Sequence, residues 1–165
     1  MTDTDDANLG LLLFIPYRFM ETAVLNALRR AGHDIPLNQA RVFQRIMPAG
    51  SRLTELAEAA QLTKQTVGSI VDQLELAGYV QRIVDPDDAR ARLVVITDRG
   101  KELIELSIPV VGEIERAWEA YLGAARFQQL RKSLQALGEI TDPFADPSHY
   151  PEDEDPAGRR SAAGA

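Results

Sequence analysis

Apolar residues change their spacing twice along the chain, and the changes mark out its elements. Residues 9–31 carry Leu12, Phe14, Ile15, Phe19, Met20, Ala23, Val24 and Leu28. That spacing predicts a long helix apolar on more than one face, stopped by Gly32. Pro16 falls inside it and predicts a kink, or a regular helix that begins only near Tyr17. A second helix is expected over 39–47, capped by Asn38, with Ala40, Val42, Phe43 and Ile46 on its apolar face and Pro48-Ala49-Gly50 as its end. Ser51 then predicts a cap for a short helix, Arg52 to Ala60, whose core face is Leu53, Leu56 and Ala57. After a tight turn at Gln61-Leu62, Thr63 caps a helix running to Ala77, with Val67, Ile70, Val71 and Leu74 as its stripe and Gly78 as its close. Beyond it the period becomes two. Runs 79–84 and 93–96 read as strands around the polar, turn-rich stretch 85–92, a β-hairpin with a charged loop.

Thr97 and Asp98 open a long helix. One stripe of it holds Leu103, Leu106, Val110, Ile114, Ala117 and Tyr121, another Ile104, Ile108, Val111 and Trp118. A last helix, about 124–140, carries Phe127, Leu130, Leu134 and Leu137. This order is that of a winged helix-turn-helix: a mainly α chain with a small β-hairpin wing. Residues 37–97 would form the winged lobe, and 9–31 with 98–140 a helical arm, all within one domain, 9–140. The small Ala57 stands where the two helices of the motif cross, and Leu53, Leu56, Leu62, Val67 and Ile70 stand where the crossing needs apolar side chains. Gln61 occupies the turn position that often holds glycine. Either the turn avoids positive φ, or Gln61 carries roughly 1 kcal/mol of strain. Gly68, which costs about 1 kcal/mol relative to alanine in mid-helix, would permit close approach to nucleic acid or to a neighbouring helix. The doubly apolar helices 9–31 and 98–122 need more cover than one small lobe gives. They predict a homodimer, with Trp118 in its shared core.

Composition narrows the chemistry. The 165 residues include no cysteine, which excludes a disulfide framework, a cysteine zinc site and a thiol redox sensor. The formal charge is −7, yet residues 9–140 hold 16 acids and 16 bases, so the excess belongs to the ends. Residues 1–8 and 141–165 are acidic and are expected to be disordered, the latter studded with prolines. The longest apolar stretch near the N-terminus, Leu11–Ile15, is short for a bilayer, and no basic leader precedes it, so a cytoplasmic protein without membrane contact is expected. No G-x-S-x-G, Walker loop or H-E-x-x-H is present, and His33 and His149 stand apart from any nucleophile. Neither an enzyme nor a metal or other cofactor is expected.

Nucleic acid is the partner the pattern suggests. Thr63, Lys64, Gln65, Thr66 and Ser69 cluster at the N-terminal end of the second helix of the motif, where such helices meet a major groove. Arg90 and Arg92 stand on the hairpin loop, where arginine can enter a minor groove. Asp88 is expected to pair with one of them and hold it in place. Arg41, Arg45 and Arg52 are either phosphate contacts or ordinary surface residues. A winged helix that binds protein instead of DNA is the rival reading. It is separable because Arg/Lys–phosphate contacts weaken steeply with salt.

Two stretches then resemble a known family. DPDDARARLVVITDRGKEL, residues 85–103, is similar to the wing, second strand and following helix start of the multiple-antibiotic-resistance (MarR) regulators. LTELAEAAQLTKQTVGSIVDQLELAGYVQR, residues 53–82, resembles their helix-turn-helix and first wing strand. The resemblance runs over about 9–140. It implies a homodimeric transcriptional regulator whose terminal helices interlace and whose two lobes straddle a pseudo-palindromic operator. It also implies a repressor released by a small aromatic or anionic effector bound between arm and lobe. Tyr17, Met20, Phe43 and Met47 are the candidates for that pocket, although core or dimer packing would suit the same side chains.

Overall fold

The computed structural model describes residues 7–142. Its elements run α1 (Leu9–Arg30), α2 (Leu37–Phe43), β1 (Ser51–Arg52), α3 (Leu53–Ala59), α4 (Lys64–Leu76), β2 (Val80–Asp85), β3 (Asp88–Ile96), α5 (Asp98–Leu122) and α6 (Ala124–Thr141). The wing is a three-stranded antiparallel sheet in the order β1-β3-β2 rather than a bare hairpin. Ser51 and Arg52 pair with Val94 and Leu93 on the free edge of β3. This strand takes the place where a helix cap was expected. Ser51, buried, accepts the Met47 N–H on Oγ at 3.0 Å, and the Arg52 N–H donates to Glu55 Oε2 at 2.8 Å, so α3 starts from Arg52.

Two further boundaries differ from expectation. Pro36 occupies the N-cap of α2 and Asn38 lies inside the helix, which ends at Phe43 instead of Met47. Proline suits that start because its missing N–H is among those a helix leaves unpaired anyway. α1 begins at Leu9 and runs through Pro16, its first turn capped by Asn8 Oδ1, which accepts the Leu11 N–H at 3.0 Å. Asn8 caps α1, α6 ends at Thr141 with Asp142 as its C-cap, and the disorder expected of 1–6 and 143–165 falls outside the described residues.

Three helices end in one device. His33 donates its N–H to Leu28 O and Gly32 to Arg29 O; Tyr79 donates to Leu74 O and Gly78 to Glu75 O; Leu62 donates to Ala57 O and Gln61 to Glu58 O. These paired bonds close a helix only if the penultimate residue is left-handed. Glycine supplies that at Gly32 and Gly78. Gln61 does it at φ +53°, so of the two readings of this turn the strained one holds.

The lobe core gathers Leu56, Val67, Val71, Leu74, Val80 and Val94, all essentially inaccessible to solvent. Gly68 faces α3: a methyl group there would meet Leu53 Cδ2 at 3.7 Å, ordinary contact. The start of α5 is fixed against the end of α4. The Thr97 hydroxyl caps α5 through the Gly100 N–H (3.1 Å) and donates to Gly78 O (2.6 Å). Arg99 donates from Nε to Ala77 O and lies over the Tyr79 ring. Gly100 has no room for a side chain, since a Cβ would stand 2.2 Å from Tyr79 O.

Outside the lobe, α1 packs on α5 and α5 on α6. Much of this arm stays uncovered within one chain: Leu9, Ile15, Phe19, Ile108, Tyr121 and Ile140 are each more than half exposed, and Trp118 is only half-buried. By length and composition alone α1 could cross a membrane, which the short run Leu11–Ile15 did not suggest.

Candidate nucleic-acid interface

The end of α4 that begins the helix is prepared by Thr63. Its Oγ1 accepts the Thr66 N–H at 3.1 Å and lies 2.8 Å from Thr66 Oγ1, so the two hydroxyls share one hydrogen bond. With its first turn capped, the helix presents Lys64, Gln65, Thr66 and Ser69 to solvent. The stripe Val67, Ile70, Val71 and Leu74 is buried on the opposite side. One face anchors the helix and the other is free to bind.

Acids on α4 are neutralised farther along it. Arg82, from β2, donates Nη1 to Glu75 Oε2 at 2.5 Å and Nη2 to Asp72 Oδ1 at 2.6 Å, and its backbone N–H donates to Glu75 Oε1 at 2.9 Å. This clamp fixes the first wing strand to α4 and removes two negative charges from the helix surface. An acidic pair three residues apart, just before Gly78 and a strand bearing arginine, was the signal for it in the sequence.

The wing is held by a different carboxylate from the one expected. Asp88 Oδ1 accepts the backbone N–H of Arg90 at 3.1 Å and pairs with no guanidinium among the described residues. Asp85 is the anchor. It is buried and takes Arg52 Nη2 at 2.5 Å and Nε at 2.8 Å on Oδ2, while Oδ1 accepts the Asp87 N–H at 2.9 Å. The Asp87 N–H and then the Arg52 guanidinium hold its carboxyl below the usual aspartate range, and Asp85 in turn raises Arg52. A register shift between Val84 and Asp85 puts Asp85 on the inner side.

The fate of the lobe's bases follows. Arg41 pairs with Glu21, Arg45 with Asp142, Arg52 with Asp85 and Arg82 with Asp72 and Glu75. Among the described residues of the lobe, the bases left without a carboxylate are Lys64, Arg90 and Arg92, all exposed. They are the three bases that the sequence placed on the DNA face.

A cavity of about 350 Å³ opens between α1, α2 and α5. Tyr17, Met20 and Phe43 line it together, with Glu21, Gln44, Ile104, Ser107 and Val111; Met47 is not part of the lining. Its polar edge is a chain: Gln44 Nε2 donates to Tyr17 Oη at 3.4 Å, Tyr17 donates to Glu21 Oε1 at 3.1 Å, and Arg41 donates to both oxygens of Glu21 at 2.8 and 3.1 Å. Arg41 holds the Glu21 carboxyl below the usual glutamate range. Sequence reasoning missed Glu21 and Gln44, because nothing in spacing distinguishes a polar residue at a cavity edge from one on an open helix face. No group of three or more potential metal ligands comes together among the described residues.

The model of the MarR family matches residues 33–91, which span α2 through the wing loop. The HTH-type transcriptional repressor Rv2887 of Mycobacterium tuberculosis is 29% identical over 136 residues, covering 81% of this chain and 96% of the relative. The crystal structure of transcriptional regulator Tm0710 from Thermotoga maritima superposes with a TM-score of 0.59 at 28% identity, over 79% of this chain and 94% of the other. That of CouR from Rhodococcus jostii RHA1, bound to p-coumaroyl-CoA, superposes with a TM-score of 0.62 at 24% identity, over 83% and 95% of the two chains. Fold, wing and helix-turn-helix agree with these comparisons, and over these elements the chain is similar to the MarR family of transcriptional regulators.

Proposed function

We propose that this regulator acts as a cytoplasmic homodimeric repressor that occupies a pseudo-palindromic operator, reads it through Thr63, Lys64, Gln65, Thr66 and Ser69 of α4, and grips it through Arg90 and Arg92 of the wing. The observation that carries the reading is the selective pairing of bases: four lobe arginines are tied to acids, while Lys64, Arg90 and Arg92 on α4 and the wing have no carboxylate partner among the described residues. A neutral body can bind a polyanion when its few unpaired cations share a surface. The apolar side of α1, with the exposed Leu130, Leu134 and Ile140 of α6, supplies the dimer contact. That role accounts for the hydropathy of α1 better than a bilayer does, since α1 already packs on α5.

Release by a small molecule is supported by the cavity between arm and lobe and by the ligand carried by CouR. Its described lining contains the Glu21 carboxylate and no lysine, arginine or histidine. A flat, uncharged aromatic ligand therefore suits it better than an anion.

The test begins with operator selection from genomic DNA, followed by anisotropy titrations. Arg90→Ala and Arg92→Ala should each weaken operator binding about tenfold, while Gln65→Ala and Thr66→Ala should alter sequence preference. Affinity should fall with salt at a log–log slope of about −0.9 per phosphate contact. If all four variants bind like the wild type, the assigned face is wrong. Light scattering at micromolar concentration should give twice the chain mass, and a stable monomer would remove the paired arm.

A further inference from the structure

A second concavity, of about 590 Å³, lies on the other side of α2. Leu37, Val42 and Arg45 border it from α2 and the turn after it, and Ala59, Ala60 and Leu62 from the α3–α4 turn. Leu37 and Leu62 are large apolar side chains left exposed at its rim, and Leu62 directly precedes Thr63, the cap of the recognition helix. The groove is thus apolar in its floor and adjoins the end of α4 assigned to DNA.

The chain's C-terminal helix finishes at this groove. Asp142, which ends α6, takes Arg45 Nη2 on Oδ2 at 2.5 Å. Its backbone is extended, φ −119° and ψ 97°, so the chain leaves the helix from the arginine that borders the groove. Arg45 Nε is buried and has no hydrogen-bond partner among the described residues. A buried guanidinium N–H left unpaired is costly and marks a place for an acceptor. Beyond Asp142 come Phe144, Asp146 and Tyr150, then the run Glu152-Asp153-Glu154-Asp155. At up to about 3.3 Å per residue, the 13 residues 143–155 can extend for up to about 43 Å from Asp142.

We propose that this groove docks the chain's own C-terminal segment, residues 143–155. The aromatic side chains fill the apolar floor, and the acidic run lies beside Thr63 and the unpaired Lys64 as a competitor for DNA phosphate. Specific operator contacts displace the segment, whereas random duplex, bound by charge alone, does not. The masking half of the proposal rests on the DNA-binding reading above; the docking half does not.

The experiment uses the full chain with the acidic run neutralised (Glu152→Gln, Asp153→Asn, Glu154→Gln, Asp155→Asn) and, separately, Phe144→Ala. Amide and arginine Nε–H resonances are recorded without DNA, and affinity for a random duplex is measured at rising salt. Docking requires the signals of Ala59, Ala60, Leu62 and Arg45 Nε–H to shift in both variants. Masking requires the neutralised chain to bind random duplex about three- to tenfold more tightly at low salt, the gain vanishing near 1 M as screening shortens to about 3 Å. If the groove signals stay put, docking is overturned. If they move only on dilution of the dimer, the groove belongs to a second copy and docking is likewise overturned. Unchanged random-duplex affinity despite shifted groove signals overturns masking. Groove signals that shift while neither protein binds any duplex support docking and overturn the DNA reading instead.

Discussion

Gln61 holds a left-handed backbone, φ +53°, at the turn between α3 and α4, where a side chain without hydrogen-bonding reason to be there costs energy. Replacing it with glycine removes that strain. Gln61→Gly should raise stability by up to about 1 kcal/mol, less the extra entropy glycine gives the unfolded chain. Chemical denaturation would read the shift in midpoint, and a loss of stability would mean that the Gln61 side chain offsets its own strain. The sequence allowed this turn two conformations, and it could do no more. Gln61 and Leu62 carry no local signal for handedness, which is set by the pair of carbonyls, Ala57 and Glu58, that the turn must satisfy. The same limit explains the exchange of Asp88 for Asp85 as wing anchor. Both acids stand within two residues of Pro86, and strict alternation from buried Val80 would send Asp85 outward. The pairing jumps from Val84–Arg92 to Asp85–Asp88, three residues out of the preceding register, and at this irregularity Asp85 turns inward.

At the level of elements, those defined by their own residues were readable and those defined by remote partners were not. The helix Lys64–Leu76 declares its cap, its stripe and its terminal glycine within sixteen residues. β1 is two residues long and exists only because the edge of β3, more than forty residues later, accepts it. Its position matters, because Arg52 at its end is the residue that reaches Asp85 and fixes the wing to the start of α3. Asp85→Asn should therefore loosen the wing without unfolding the lobe. Hydrogen exchange of amides 86–92 should speed up markedly while those of α4 keep their protection, and operator affinity should fall. Equal protection of the wing in both proteins would show that strand pairing alone holds it.

Between arm and lobe, Glu21–Arg41 is the ion pair that joins α1 to α2 beside the cavity, next to the Gln44–Tyr17 hydrogen bond. The Arg41 hydrogen bonds lower the Glu21 pKa, so the pair contributes stability above the ordinary glutamate range and loses it as pH falls through the lowered value. Because Arg41 is half exposed, the contribution is small, about 1 kcal/mol or less. Glu21→Gln should flatten the acid limb of the stability profile below about pH 4.5 and leave neutral pH only slightly affected. An unchanged acid limb would assign that limb to other carboxylates, Asp85 first, whose pKa is lowered too.

The close seat of Gly100 on the Tyr79 carbonyl, with Thr97 on Gly78 O and Arg99 on Ala77 O, makes one stiff joint between the arm and the far end of α4. From that joint, the 13 residues of α4 reach about 20 Å to Thr63. Length turns into leverage: a rotation of α5 by about 5° carries the Thr63 end through roughly 2 Å, more than a hydrogen bond can stretch before it fails. On the proposed reading, a ligand wedged beside Ile104 and Ser107 need not push on the proposed DNA face at all. It would have only to turn the shaft to which α4 is bolted.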